Sequence, residues 1–166
     1  MPDEAAAEAD AIDFAVAAYR DGGEWVLVGL PAEQVVTLAS LLQTLRRFPG
    51  ETGMLGFVSV DEDFFVLVRV LGQRVRMVLS DVTAAEDWTL AREIAEELDI
   101  DLDEVDEDNP EPAGDLSLFA DLGLDAMTLA ALCDDYDSFP DELLDDIADQ
   151  LGFAEAFREA ADAVSE

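Results

Sequence analysis

Apolar runs and turn residues alternate over the first hundred positions with the spacing typical of short β-strands. The dipeptide Gly22-Gly23 after Asp21 suits a tight hairpin, because glycine tolerates positive φ. Turns of two or three residues join strands that are antiparallel neighbours. The pattern therefore predicts one antiparallel sheet of five strands, at residues 12–20, 24–30, 54–60, 64–71 and 74–79.

Two longer segments repeat their apolar residues every three or four positions, as an amphipathic helix does. Pro31 suits the first turn of a helix over residues 32–47. Ser80 or Asp81 can cap a second helix that ends near Leu98. The predicted fold class is α+β with the order ββαβββα, which is similar to the order in roadblock and profilin-like domains, and those are non-catalytic scaffolds.

The last third of the chain reads as a small helical module. A helix follows Asp125 with Met127, Ala130 and Ala131 expected on its buried face, and a second begins at Pro140 and stops at Gly152. A last helix covers residues 153–164. The predicted organisation is a disordered tail at 1–11, a sheet domain at 12–98, an acidic linker at 99–114 and the helical module at 115–166.

Charge is the most unusual feature of the composition. The 166 residues include 41 Asp and Glu against 8 Arg, with neither Lys nor His, for a net charge of −33. Residues 1–98 hold 18 acids and 7 Arg, whereas residues 99–166 hold 23 acids and only Arg158. Such charge disfavours direct binding to nucleic acid or to anionic membranes and favours a basic partner. Adaptation to high salt or a GC-rich genome would also produce acidity, but neither explains its uneven distribution.

Several kinds of catalysis are excluded by the residues that the chain lacks. Without His and Lys there is no imidazole base, no Schiff base and no P-loop lysine. One cysteine, Cys133, cannot form an internal disulfide, and it is interpreted as a small apolar residue on a buried helix face. We expect a protein that is not an enzyme, with no cofactor and no metal site, in the cytoplasm.

The linker supplies the predicted partner-binding residues. Asp99, Asp101 and Asp103 imitate the start of an EF-hand loop, but Glu104 stands where that loop requires glycine. The segment is either a solvated linker or a docking site for a basic partner. In the second case the contacts are made by Asp99, Asp101, Asp103, Glu104, Asp106, Glu107 and Asp108.

Several segments, in this order, resemble the actinobacterial family of tRNA adenosine deaminase-associated proteins. They are the runs at residues 79–85 with Trp88, at 112–116, at 120–123 and at 139–142, and then Ala148 with the run at 151–153. The resemblance implies association with the deaminase that converts adenosine to inosine in tRNA, and it carries no catalytic residues. The zinc site of that deaminase needs a Cys-x-x-Cys pair, which this chain lacks.

The sequence therefore predicts a non-catalytic, acidic accessory protein that binds a basic protein, with a tRNA adenosine deaminase as the candidate partner. Three alternatives stay open. The chain could imitate nucleic-acid phosphates and inhibit a basic nucleic-acid-binding protein, or it could be a structural scaffold that forms a homodimer through a sheet edge or helix face. It could also be an enzyme that uses carboxylates and a divalent metal.

Overall fold

A computed structural model describes residues 11–47, 53–104, 111–135 and 138–165. Its strands are β1 Ile12–Asp21, β2 Glu24–Gly29, β3 Met54–Val60, β4 Phe64–Leu71, β5 Arg74–Leu79 and β6 Ala113–Gly114. Its α-helices are α1 Leu38–Leu45, α2 Thr89–Glu97, α3 Ala126–Cys133, α4 Pro140–Leu151 and α5 Ala154–Ser165. Short 3-10 turns lie at Ala32–Gln34, Val82–Glu86, Leu102–Glu104 and Ala120–Leu122.

The sheet is antiparallel throughout, in the order β2-β1-β3-β4-β5-β6. The α+β class is confirmed, but the prediction of five strands is wrong, because within the described residues the sheet has six. The added strand β6 comes from the predicted linker and pairs with Val78 and Leu79. Gly114 has φ +114°, and a Cβ at this position would collide with the carbonyl oxygen of Met77. Only glycine therefore lets β6 lie this close to β5.

Both faces of the sheet are buried. Ala15 and Ala17 of β1 face the apolar core that α1 and α2 cover, whereas Phe14, Val16 and Ala18 face the core that the last three helices cover. All residues of β3 are buried, as expected of a central strand with helices on both sides.

The C-terminal helices share the second core with the sheet. Phe57 of β3 makes edge-to-face contacts with Phe153 and Phe157, at centroid distances of 6.0 and 5.4 Å. The predicted division into a sheet domain, a linker and a helical module stays a prediction. The predicted tail, apart from Ala11, lies outside the described residues.

Helix limits were predicted less well than strand limits. The expected helix over 32–47 is a 3-10 turn followed by a shorter α1, which Thr37 caps by accepting a hydrogen bond from the Ser40 amide at 3.1 Å. The predicted inner face of α3 is wrong. Met127 is 85% exposed, whereas Leu129 and Cys133 are buried. Nearly every residue of this short helix is apolar, so its sequence does not mark which side faces the core.

Candidate partner-binding groove

A groove of about 680 Å³ lies between the start of β1, the β3–β4 turn and helices α4 and α5. Part of its lining is apolar, from Ile12, Phe14, Phe157 and Ala161. The rest is charged and consists of Asp13, Glu62, Asp141, Glu142, Asp145, Asp162 and Arg158. We call this set the acidic groove. Six carboxylates against one guanidinium leave it with a net charge of −5 at neutral pH.

One side of the acidic groove is the turn between β3 and β4. Asp61 and Glu62 both have φ of 51°, a left-handed conformation that is uncommon outside glycine. Asp13 supports the turn, because its Oδ2 accepts hydrogen bonds from the Glu62 amide at 2.8 Å and from the Ser59 hydroxyl at 3.0 Å. The Asp13 carboxylate thus fixes the position of the Glu62 backbone beside the groove.

The opposite side is built by helix α4. Pro140 occupies the first helical turn, and the Glu142 carboxylate accepts a hydrogen bond from the Phe139 amide at 3.2 Å. Asp141 and Glu142 lie in the first turn, where the helix dipole favours negative charge. Because the apolar stripe of α4 is buried against the sheet, its acidic residues are left at the surface.

Arg158 of α5 crosses to α4 within the acidic groove. Its Nε and Nη2 donate to the two carboxylate oxygens of Asp145, at 2.7 and 2.9 Å. This bidentate bond raises the pKa of Arg158 above its usual value. The pair neutralises one carboxylate, and Arg158 is the one cation among the described residues that line the groove.

A smaller cleft of about 230 Å³ continues the acidic surface past Glu62. Burial and the nearby Asp81, Asp61 and Asp87 raise the pKa of Asp63 in this cleft above its usual value. Phe139 also lines it and is 54% exposed, so an apolar side chain accompanies the carboxylates here too.

Cys133 is one of the residues that line this cleft, but it is only 3% exposed. Burial, and then the charge of Asp134, raises the pKa of its thiol to about 12. Nucleophilic attack requires the thiolate, which such a pKa disfavours strongly. The interpretation of Cys133 as a buried residue on a helix is confirmed.

The partner-binding residues predicted from the sequence lie elsewhere. Asp99, Asp101, Asp103 and Glu104 are exposed after α2 and do not line the acidic groove. Asp106, Glu107 and Asp108 lie outside the described residues. Sequence reasoning missed the groove because its residues come from positions as distant as 13 and 162, and only the spacing of Asp141 and Asp145 on one helix face gave a signal.

The described part of the chain contains no group of three or more His, Cys, Asp or Glu side chains placed to hold a metal ion. Nor does that part contain a helix with the length and apolar character needed to cross a membrane.

Comparison with known proteins agrees with the resemblance seen in the sequence. A family model described as Rv3753c-like tRNA adenosine deaminase-associated protein matches residues 13–154. Protein Rv3753c from Mycobacterium tuberculosis (strain ATCC 25618 / H37Rv) is 35% identical over 144 residues, which cover 86% of this chain and 83% of that protein. No solved structure matches the chain. The chain belongs to the family of Rv3753c-like tRNA adenosine deaminase-associated proteins.

Proposed function

We propose that this chain is a non-catalytic accessory protein that docks its acidic groove on a basic surface of a tRNA adenosine deaminase. Family membership supports the choice of partner. The observation that carries the choice of surface is the acidic groove, whose described lining combines six carboxylates, one of them paired with Arg158, with apolar side chains.

The two parts of the groove lining have different effects on binding. The carboxylates attract a positively charged surface, which raises the association rate at low ionic strength. Phe157 and Ala161 are themselves more than 90% buried, whereas Ile12, which also lines the groove, is half-buried and offers apolar area to a partner. An Arg or Lys side chain fits such a lining, because its aliphatic stem can contact apolar atoms while its charge meets carboxylates.

The exposed acids after α2 are a second proposed contact. Asp101 Oδ1 accepts a hydrogen bond from the Asp103 amide at 3.0 Å, so this segment has local order up to Glu104. Its charge adds to the negative field that the partner meets, and it supports the docking proposal without defining the orientation.

The test measures binding of the purified chain to the deaminase from the same organism, at about 50 mM and about 500 mM salt. We expect retention at low salt and a large loss at high salt. The groove variant Glu62→Gln/Asp141→Asn should bind about tenfold more weakly, since two exposed ion pairs contribute together about 1.4 kcal/mol.

The matched control is Asp146→Asn/Glu159→Gln, which removes two carboxylates exposed on the same helices but outside the groove. It should bind within about twofold of the wild type. Equal losses in both variants would show that total charge, not the groove, determines binding. Failure to bind the deaminase at low salt would reject the proposal, and displacement of tRNA from the deaminase would favour the nucleic-acid mimic.

A further inference from the structure

Three of the eight arginines lie together around a second cleft, of about 290 Å³, at the other end of the sheet. Arg69 comes from the end of β4, and Arg74 and Arg76 come from the start of β5. The other residues that line this second cleft are Leu71, Ser117, Ala120 and Asp121. We call it the arginine cleft. The eight residues of β4 separate it from the β3–β4 turn by about 24 Å, at ~3.4 Å per residue.

Arg69 is bound within the protein. Its side chain is 5% exposed, its Nη1 donates to the Leu118 carbonyl oxygen at 2.9 Å, and its Nη2 donates to Asp121 Oδ2 at 2.9 Å. Nη1 also donates to Asp121 Oδ1, and the resulting bidentate bond lowers the pKa of Asp121 below its usual value. Arg69 therefore anchors the chain around residue 121 to the sheet and is not the residue that would contact a ligand.

Arg76 stands directly across from Arg69 in the β4–β5 register, and like charges so placed repel. Arg76 Nε contacts Asp115 Oδ2 at 3.0 Å, and both side chains are about one-third exposed. Asp115 also accepts hydrogen bonds from the Ser117 amide and hydroxyl, which lower its pKa more than Arg76 does. Asp115 thus stays ionised; it forms its ion pair with Arg76, and the charge of Arg74 also helps to lower its pKa.

Arg74 takes no part in these two ion pairs. It is exposed, and it forms no ion pair with any carboxylate in the part of the chain that the structure describes. Three guanidiniums against Asp115 and Asp121 give the region a charge of +1, in a chain whose net charge is −33. Each guanidinium has five N–H donors, and a single carboxylate cannot engage all of the donors of Arg76.

We infer that the arginine cleft binds one carboxylate side chain of a protein partner, through the guanidiniums of Arg74 and Arg76. A guanidinium matches a carboxylate or a phosphate by two parallel hydrogen bonds, so geometry alone allows either. The net charge of the whole chain favours a single carboxylate over a ligand with several phosphates. Repulsion rises in proportion to the charge of the ligand, so a nucleic acid with many phosphates is opposed far more than a single carboxylate.

The arginines could instead only protect a sheet edge. Among the described residues β6 pairs with Val78 and Leu79, so the outer edge of β5 is not covered by a strand at Arg74 and Arg76. Charged side chains at such an edge discourage pairing with other chains. That role needs charge at the edge but no saturable ligand, so a binding experiment separates the two explanations.

The experiment follows the arginine Nε–Hε NMR signals of the ¹⁵N-labelled full chain, which has only 8 such groups. The probe is N-acetylglutamic acid amide, whose single charge is a side-chain carboxylate, added at constant ionic strength. We expect saturable shifts at Arg74 and Arg76. Arg74→Ala should weaken binding about fivefold, since a lone ion pair at the surface contributes up to about 1 kcal/mol.

The control is Arg47→Ala, which removes the same charge from the exposed end of α1, on the opposite face of the sheet. It should leave binding of the probe unchanged. Inorganic phosphate and a single-stranded oligonucleotide are titrated in parallel and should bind more weakly. Shifts that do not saturate, equal losses in both variants, or tighter binding of phosphate or oligonucleotide would each overturn the inference, and none of these results depends on the acidic groove.

Discussion

The ion pair between Arg69 and Asp121 gives the sharpest test of how the C-terminal part is held on the sheet. Asp121→Asn keeps the shape of the side chain but leaves the Arg69 guanidinium, 5% exposed, without its carboxylate. Removing one partner of a buried pair costs about 3–5 kcal/mol. Because Asp121 is 61% exposed and the Leu118 carbonyl still accepts from Arg69, we expect about 2 kcal/mol.

The assay is urea unfolding followed by circular dichroism near pH 7, with Asp146→Asn as the control for loss of one exposed carboxylate. The control should change the free energy of unfolding by less than about 0.5 kcal/mol. The double variant Arg69→Met/Asp121→Asn should be more stable than Asp121→Asn alone, because it contains no uncompensated buried charge.

The same pair predicts a pH dependence. The folded state lowers the pKa of Asp121 from its ordinary 3.8, so the stabilisation is complete above that value and is lost as the pH falls through the lowered pKa. The difference between wild type and Asp121→Asn should therefore shrink in strong acid. A difference that is the same at all pH values, or an Asp121→Asn variant as stable as Asp146→Asn, would refute the reasoning.

Three further changes test other parts of the structure. Gly29→Ala should lower the free energy of unfolding, measured in urea, by about 1–3 kcal/mol. The reason is that the added Cβ would lie 2.5 Å from Val164 Cγ1 and 2.8 Å from the Ala160 carbonyl oxygen. Adding Val164→Ala should restore only part of the lost stability, and full recovery would contradict the contact with Ala160. Asp63→Asn should stabilise the fold near pH 7 by at most about 1 kcal/mol, because burial and then neighbouring acids raise the pKa of Asp63 and make its ionisation costly in the folded state. The gain in the free energy of unfolding should vanish below pH 3.8, where the unfolded state also holds the proton. A gain that persists below this pH would disprove the proposed cause. Iodoacetamide should label Cys133 only when the chain unfolds in urea, because burial raises the pKa of the thiol to about 12. Rapid labelling of the native protein would contradict this and would show that helix α3 opens locally.

Local features of the sequence were sufficient for most of the elements. The limits predicted for β3, β4 and β5 agree with the structure, since turn residues bound each run. Pro140 and Gly152 delimit α4 as predicted, because the first position of a helix tolerates proline and Gly152 adopts a left-handed C-cap with φ 92°. Family membership was also predictable from short segments in order.

The sequence by itself determined the period of each strand, the caps of α4, the excess of negative charge and the family. Tertiary structure alone decided which charged residues lie close together. Asp13 and Asp162 both line the acidic groove, and the Arg69–Asp121 ion pair spans 52 positions. It also decided which side of α3 faces the core and where β6 pairs. The physical reason is that charge and apolar character are properties of single residues, whereas a groove, an ion pair and a strand register depend on which distant segments pack together.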